Sequence, residues 1–161
     1  MFSAMRFSAE APPERPADPA VRRANLRRIG RLFSPYKLRL SGVLLLIGYA
    51  LIRAGRVAEA RGVLDSALAR FPTIAALHKN AALAAYQMGE NQRALTELDR
   101  AIQLDRSFAP ARALRARARA AAGNRAGALE DWNAYLALAP DPQERAELEG
   151  ELRERGVLKG P

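Results

Sequence analysis

The chain has 161 residues, a length that suits one ordinary domain with an extension and excludes two large domains. Its 34 alanines outnumber the 11 glycines and 10 prolines together, which favours helices and argues against a β-sandwich, a collagen-like chain or a disordered polymer. The formal net charge is +9, and 23 arginines against 3 lysines are typical of a GC-rich bacterial coding sequence. We therefore expect an all-α protein with a basic region.

The sequence contains few residues or motifs of the kinds that perform catalysis or bind metals. The chain has no cysteine and one histidine, His78, so a disulfide framework, a thiolate nucleophile and a zinc site of the usual type are excluded. No Ser/His/acid grouping, HExxH motif or glycine-rich phosphate loop occurs. The sequence therefore predicts a protein that is not an enzyme, with no catalytic residues, no metal site, no cofactor and no small-molecule substrate.

The basic character is concentrated near the N-terminus. Residues 1–18 are rich in proline and poor in large apolar side chains, so we expect a disordered arm. Residues 19–40 are predicted to form a basic amphipathic helix and a linker, with Leu26, Ile29 and Phe33 on the apolar face. Three roles stay open for this helix: a cap on the domain that follows, an arm that binds an anionic membrane surface, and a contact with nucleic acid. A fusion artefact is a fourth explanation.

The next segment is apolar but short. It runs for eleven residues from Gly42 to Ile52, whereas a helix needs about 20 apolar residues to span a bilayer. A membrane span is therefore not expected. Basic residues precede the segment, as in a signal peptide, yet the segment lies far from Met1. We expect a cytoplasmic protein, with membrane association or export as alternatives.

From residue 41 onwards the sequence repeats itself. The period is 34 residues, and it predicts three units at 41–74, 75–108 and 109–142. Five sets of positions agree in this register: Gly55, Gly89 and Gly123; Ala60, Ala94 and Ala128; Leu64, Leu98 and Trp132; Gly48, Ala82 and Ala116; Leu68, Ile102 and Leu136.

Each unit is predicted to contain two helices joined at the repeated glycine. In the first helix Leu44, Ile47, Gly48 and Leu51 follow the spacing of one buried face. Gly55 stands where a helix C-terminus favours the left-handed conformation. The small residue at position 48 and its equivalents allow the paired helices to approach closely.

Turn residues mark where the later helices begin. Thr73 and Ser107 are predicted N-caps of the second and third units. Asp141 followed by Pro142 predicts one more helix after the repeats. Residues 143–161 are therefore predicted to be a capping helix and tail.

The pattern resembles the tetratricopeptide repeat, a 34-residue unit with a small residue, alanine, large apolar residues and proline at fixed offsets. The first unit matches best, through Gly48, Ala60 and Pro72, whereas the middle unit has Arg106 in the proline position. The resemblance covers residues 41–142. It implies an α-solenoid of three helix-turn-helix repeats, with a C-terminal capping helix and a basic N-terminal helix.

The resemblance also implies a concave groove, lined by the first helices, that binds a protein or peptide ligand. The family offsets carry the groove positions onto Leu45, Tyr49, Ile52, Lys79, Asn80, Leu83, Tyr86 and Arg117. Such a groove is apolar with cationic spots at Lys79 and Arg117, so we expect a partner with apolar anchors and an acidic group. Of the residues with which relatives grip heat-shock chaperone tails, only Asn80 is present, so that clamp is not expected.

An arginine stripe has two interpretations. Arg112, Arg115 and Arg119 share one helix face, which is typical either of a phosphate-binding ridge or of a solvated or ion-paired face. Glu130 and Asp131 of the partner helix offer carboxylates to Arg115, so we favour ion pairing.

Two single residues, Trp132 and His78, have predicted packing roles. Trp132 occupies a core position of a second helix, and His78 replaces a large packing residue, so we expect Trp132 in the core and His78 as a packing or surface residue. The chain is predicted to be a non-catalytic adaptor or scaffold for protein–protein interaction. The alternative is recruitment to a membrane surface or nucleic acid through the basic segment 22–39.

Overall fold

Helices account for the regular structure of the part of the chain that can be described. The computed structural model describes residue 20 and residues 34–159, without the side chains of residues 34, 35, 37 and 38. The chain divides into two units, residues 1–38 and 39–161. The predictions for the disordered arm and for the basic helix up to residue 33 lie outside the described residues, so the membrane and nucleic-acid alternative stays a prediction.

Seven helices and no strand occur among these described residues, which confirms the all-α prediction. None of these helices is both long and apolar enough to cross a bilayer. In chain order they are α1 (Ser34–Arg53), α2 (Val57–Arg70), α3 (Ala75–Gln87), α4 (Asn91–Leu104), α5 (Ala109–Ala121), α6 (Arg125–Leu136) and α7 (Pro142–Glu154).

Glycine turns join the helices in pairs. Gly55, Gly89 and Gly123 follow α1, α3 and α5, with φ angles of +74°, +77° and +77°. Residues other than glycine rarely adopt this left-handed conformation because their Cβ atom meets the backbone. The prediction of a left-handed glycine at the end of each first helix is confirmed.

The N-termini of α3 and α5 differ from the predicted ones. Ile74 and Phe108 are the cap residues, and neither helix has a side-chain cap hydrogen bond. The Ser107 hydroxyl and backbone N–H both donate to Asp105 Oδ1, at 2.6 and 2.9 Å. The prediction that Thr73 and Ser107 cap these helices is wrong, because each helix begins one residue later and Ser107 closes the preceding turn instead.

The terminal helix α7 begins as predicted. Asp141 Oδ1 accepts hydrogen bonds from the backbone N–H groups of Gln143 and Glu144, at 2.8 and 3.2 Å. Such a cap pairs N–H groups that have no partner within the helix. Leu148 and Leu152 are fully buried on one side of α7. The helix is therefore an integral part of the fold.

The first helix pair packs closely at Gly48. A Cβ atom at this position would lie 2.7 Å from Leu64 Cδ2, well inside van der Waals contact. The equivalent residues Ala82 and Ala116 are fully buried. The prediction that a small residue permits close approach of paired helices is confirmed.

The buried stripe of α1 is shifted from the predicted one. Leu44 and Leu51 pack against the core as expected, but Ile47 is 43% exposed. The buried face is centred on Gly48 and Ile52, one turn apart, and Ile47 lies beyond its edge. Including Ile47 in the buried stripe was therefore wrong.

Among the described residues the core consists of three clusters, which follow one another along the repeats. The first is built from α1, α2 and α3, the second from α3, α4 and α5, and the third from α5, α6 and α7. The helix α3 therefore contributes to the first and second clusters, and α5 contributes to the second and third. Trp132 is buried in the third cluster, with its ring centroid 5.9 Å from that of Tyr135, which confirms its packing role. Stacking of this kind is the arrangement of an α-solenoid.

Candidate functional site

The first helices of the three repeats line two adjoining hollows. Tyr49 of α1, Lys79 of α3 and Pro110 of α5 border both hollows, whose volumes are about 290 and 370 Å³. Tyr135, Glu144 and Glu147 complete the larger one. We call the combined surface the groove.

Six of the eight predicted site residues line this groove. Ile52 does not, because it is 4% exposed and belongs to the first core cluster, so its assignment to the ligand surface is corrected. Tyr86 lines neither hollow and packs beside the second core cluster, where its hydroxyl accepts a hydrogen bond from Arg155 at 3.4 Å. The six residues in the groove are Leu45, Tyr49, Lys79, Asn80, Leu83 and Arg117. Their role in binding stays a prediction.

A cation stands over an aromatic ring at the centre of the groove. The Lys79 ammonium lies 5.7 Å from the ring centroid of Tyr49, within cation–π range. Burial lowers the pKa of Lys79, and the nearby carboxylate of Glu144 opposes that shift. Lys79 is therefore a partly dehydrated cation, which strengthens its attraction for an incoming anion.

Carboxylates from α7 change the charge expected of the groove. Glu144 and Glu147 border the larger hollow, and Arg117 Nε donates to Glu151 Oε2 at 2.7 Å. The positive charge of Arg117 is thus paired. Sequence reasoning treated α7 only as a cap and missed these acids, although positions 144, 147 and 151 share one helix face.

The smaller hollow is mainly apolar. Leu45, Leu46, Phe108 and Pro110 form most of its wall. Of these, Leu46 and Phe108 were not among the predicted site residues. Phe108 precedes α5 and lies outside the repeated positions of the first helices, so the family offsets do not reach it.

Two buried polar atoms at the groove have no hydrogen-bond partner among the described residues. They are Asn80 Oδ1 and the Tyr135 hydroxyl. The Asn80 amide nitrogen donates to the Leu45 carbonyl at 3.4 Å, so its oxygen remains as an acceptor. Burial, followed by the charge of Glu144, raises the pKa of Tyr135, which keeps its phenol protonated as a donor. Leaving such atoms unpaired costs about 1–3 kcal/mol each.

The arginine stripe of α5 is largely ion-paired. Arg115 Nε donates to both carboxylate oxygens of Asp131, at 3.1 and 2.9 Å, and its Nη2 donates at 2.6 Å. Arg119 Nη1 lies 2.9 Å from the same carboxylate, which is 1% exposed. Burial alone lowers the pKa of Arg115, but the bonds to Asp131 raise it overall. The ion-pairing interpretation is confirmed for Arg115 and Arg119.

His78 is a buried packing residue. Its Nδ1 lies 2.7 Å from Glu97 Oε2, and its Nε2 lies 2.9 Å from the Pro72 carbonyl oxygen. Both ring nitrogens are therefore engaged by protein atoms. Within residue 20 and residues 34–159 no cluster of three or more histidine or acidic side chains is arranged to hold a metal ion.

The geometry agrees with a known family. Residues 51–118 match the family model of the tetratricopeptide repeat. Over these residues the chain is similar to the tetratricopeptide repeat family, and solved domains of that family support the likeness. The comparison with curated proteins found no match for this chain.

Solved tetratricopeptide repeat domains share the fold. The first such domain of Spaghetti (RPAP3), bound to the HSP90 peptide SRMEEVD, is 26% identical with a TM-score of 0.65, over 72% of this chain and 90% of that one. The domain of Arabidopsis OM64 is 22% identical with a TM-score of 0.66, over 73% and 98% of the two chains. The TPR2B domain of yeast Sti1, in a complex with pHsp70, is 20% identical with a TM-score of 0.66, over 72% and 95% of the two chains. The all-α solenoid prediction is thereby confirmed.

Proposed function

We propose that this protein is a non-catalytic scaffold that binds a peptide or protein segment in its groove. The observation that carries the proposal is the pair of hollows that share Tyr49, Lys79 and Pro110. Peptide binding by the Spaghetti domain, which is similar in fold, supports it.

The groove chemistry selects the ligand. Apolar side chains of the ligand fill the hollow walled by Leu45, Leu46 and Phe108, where burial of each large side chain contributes about 1.5–3 kcal/mol. One acidic group of the ligand meets Lys79. Beyond it the ligand is neutral or basic, because Glu144 and Glu147 repel further acids.

This ligand differs from an acidic chaperone tail. The positions at which relatives clamp such tails hold Leu45, Tyr49, Pro110 and Leu114 in this chain, which carry no charge. The one matching residue, Asn80, is 3% exposed and directs its amide nitrogen to a backbone carbonyl. We therefore expect the peptide SRMEEVD to bind more weakly than peptides with large apolar anchors and one acid.

Peptide selection against the whole chain, followed by a matched pair of tyrosine variants, tests the groove. Tyr49→Ala removes a groove wall, whereas Tyr36→Ala removes a 59% exposed tyrosine of the same helix that lines neither hollow. Loss of an aromatic interface anchor costs about 1–4 kcal/mol, so Tyr49→Ala is expected to weaken selected peptides by about 5-fold or more in calorimetric titrations. Tyr36→Ala is expected to bind normally.

The outcome is interpreted only for variants whose circular dichroism matches that of the unchanged protein. Equal affinities for both tyrosine variants would place the ligand elsewhere. Lys79→Met then tests the acidic group: it is expected to weaken a selected peptide but to leave the Glu→Gln version of that peptide unaffected. Equal weakening of both peptides would show that Lys79 does not bind the acidic group of the peptide.

A further inference from the structure

A third hollow lies away from the groove, between α4 and α5. It has a volume of about 420 Å³, and we call it the arginine notch. Its walls come from α4, from the turn after α4 and from α5: Asp99, Ile102, Gln103, Arg106, Arg112 and Arg115.

The arginine notch and the groove occupy opposite faces of α5. At 3.6 residues per turn, positions 112 and 115 lie about 180° around the helix from positions 113, 114 and 117. The former line the notch and the latter line the groove. A ligand in one hollow therefore leaves the other hollow free.

Two guanidinium groups of the notch lack an acidic partner within the described chain. Arg106 stands where the other repeats have Pro72 and Pro140, and its side chain is exposed. Arg112 Nη2 donates to the Arg106 carbonyl oxygen at 3.0 Å, while its Nε is buried without any hydrogen-bond partner. An unpaired buried donor is costly, so an anion that enters the notch and reaches Nε gains a hydrogen bond that the described chain leaves unmade.

The charge of the notch matches a dianion. Arg115 is already bound to Asp131 on its inner side and to Asp99, at 2.5 Å, on its outer side. Three arginines and one aspartate line the notch, so its lining carries two positive charges in excess. A carboxylate neutralises one of them, whereas a phosphoryl group neutralises both and matches the planar fork of each guanidinium.

We propose that the arginine notch binds a phosphoryl group through Arg106 and Arg112, with the Gln103 amide as an additional donor. This site is independent of peptide binding in the groove. The phosphoryl group comes either from a free phosphate ion or from a phosphorylated side chain of a protein, and both sources offer the same chemistry to the two arginines.

The test is a titration of the whole chain with inorganic phosphate at constant ionic strength, with chloride as the balancing anion. The Nε–H signals of the arginine side chains are followed by ¹⁵N NMR. The expected result is a saturable shift of the Arg112 Nε–H signal. Arg106→Gln and Arg112→Gln are each expected to weaken binding at least 10-fold. Arg70→Gln removes the same charge from an exposed arginine outside the notch and is expected to bind phosphate as the unchanged protein does.

A second arm separates the two sources. A phosphoserine peptide that binds at least 10-fold more tightly than both inorganic phosphate and the matching serine peptide assigns the site to a phosphorylated protein, whereas equal affinities assign it to free phosphate. Tyr49→Ala is expected to leave phosphate binding unchanged, so a failure of the groove and a failure of the notch are distinguishable.

Absence of saturable binding for both probes would overturn the proposal, and so would equal weakening in Arg70→Gln. Should Arg112→Gln fail to fold, Arg106→Gln decides the result, because Arg106 is exposed in a turn and contributes no side-chain packing to the described core clusters.

Discussion

Gly48 lies where α1 meets α2, and its missing side chain determines how closely the two helices approach. A Cβ atom there would stand 2.7 Å from Leu64 Cδ2 and 2.8 Å from Leu64 Cγ. Leu64 is fully buried and therefore has no solvent-filled space into which to move. Gly42 of the same helix is different, because nothing lies within 4 Å of a Cβ atom at that position.

The two glycines give a matched pair of variants. Gly42→Ala is expected to stabilise the protein by about 0.5–1 kcal/mol, since alanine favours the helix. Gly48→Ala has the same helical advantage, but overpacking against Leu64 costs about 1–3 kcal/mol, so the net effect is destabilising. Urea unfolding of both variants measures the difference. Stabilisation by both substitutions would show that α1 and α2 do not approach as closely as described.

The Asp131 carboxylate anchors two arginines inside the fold. It is 1% exposed and lies within 3 Å of side-chain nitrogens of Arg115 and Arg119. Removal of one member of a buried ion pair leaves an uncompensated charge, so Asp131→Asn is expected to cost about 3–5 kcal/mol. The control is Glu130→Gln, whose side chain is 79% exposed and 3.5 Å from Arg119, with an expected cost below about 1 kcal/mol.

Denaturant unfolding at neutral pH compares these two variants. Both substitutions replace a carboxylate by an amide of equal size and remove one negative charge. A difference in stability between the two variants therefore reports the burial of the Asp131 carboxylate. Similar stabilities for Asp131→Asn and Glu130→Gln would contradict a buried Arg–Asp network.

Among the elements, α7 closes the third core cluster. Its Leu148 and Leu152 pack with Trp132 and Tyr135, while most of its other residues are exposed. An outer helix with one apolar side and one polar side is what a repeat array needs at its end. The same helix carries the carboxylates of Glu144 and Glu147 to the groove, so the terminal helix also forms part of the groove surface.

A single core substitution tests the capping role of α7. Leu148→Ala is expected to destabilise the protein by about 2–5 kcal/mol, because it opens a cavity beside Trp132. Arg145→Ala, at an exposed position of the same helix, is expected to change stability by less than about 0.5 kcal/mol. Thermal unfolding followed by Trp132 fluorescence measures both. Equal melting temperatures would mean that α7 is not integral to the third cluster.

At the scale of the whole molecule, the repeat period predicted far more of the fold than of the site. The 34-residue register of Gly55, Gly89 and Gly123 correctly predicted three helix pairs and their turns, because each left-handed glycine is a local requirement of the backbone. Helix starts were less predictable. Ile74 and Phe108 are N-cap residues that make no side-chain hydrogen bond to the helix. Their residue types therefore gave no signal of where α3 and α5 begin.

Whether a residue lines the groove depends on how its helix is rotated about its own axis against the neighbouring helices. Ile52 lies only three residues from Tyr49, yet Ile52 is buried and Tyr49 is 42% exposed. The family offsets assigned both residues to the ligand surface. A rotation of α1 by a fraction of a turn decides between these two environments, and that rotation follows from the close contact of Gly48 with Leu64.

The amino-acid sequence by itself determined the helix pairs, the left-handed glycines, the buried position of Trp132 and the start of α7 at Asp141, since each depends on local propensity or on a repeated apolar pattern. Only the tertiary structure decided that Arg119 shares Asp131 with Arg115, and that Arg106 and Arg112 line the arginine notch without an acidic partner in the described part of the chain. It also decided that carboxylates of α7 border the groove. These features join residues far apart in the chain, and their distances depend on the stacking of successive repeats, which no local pattern encodes.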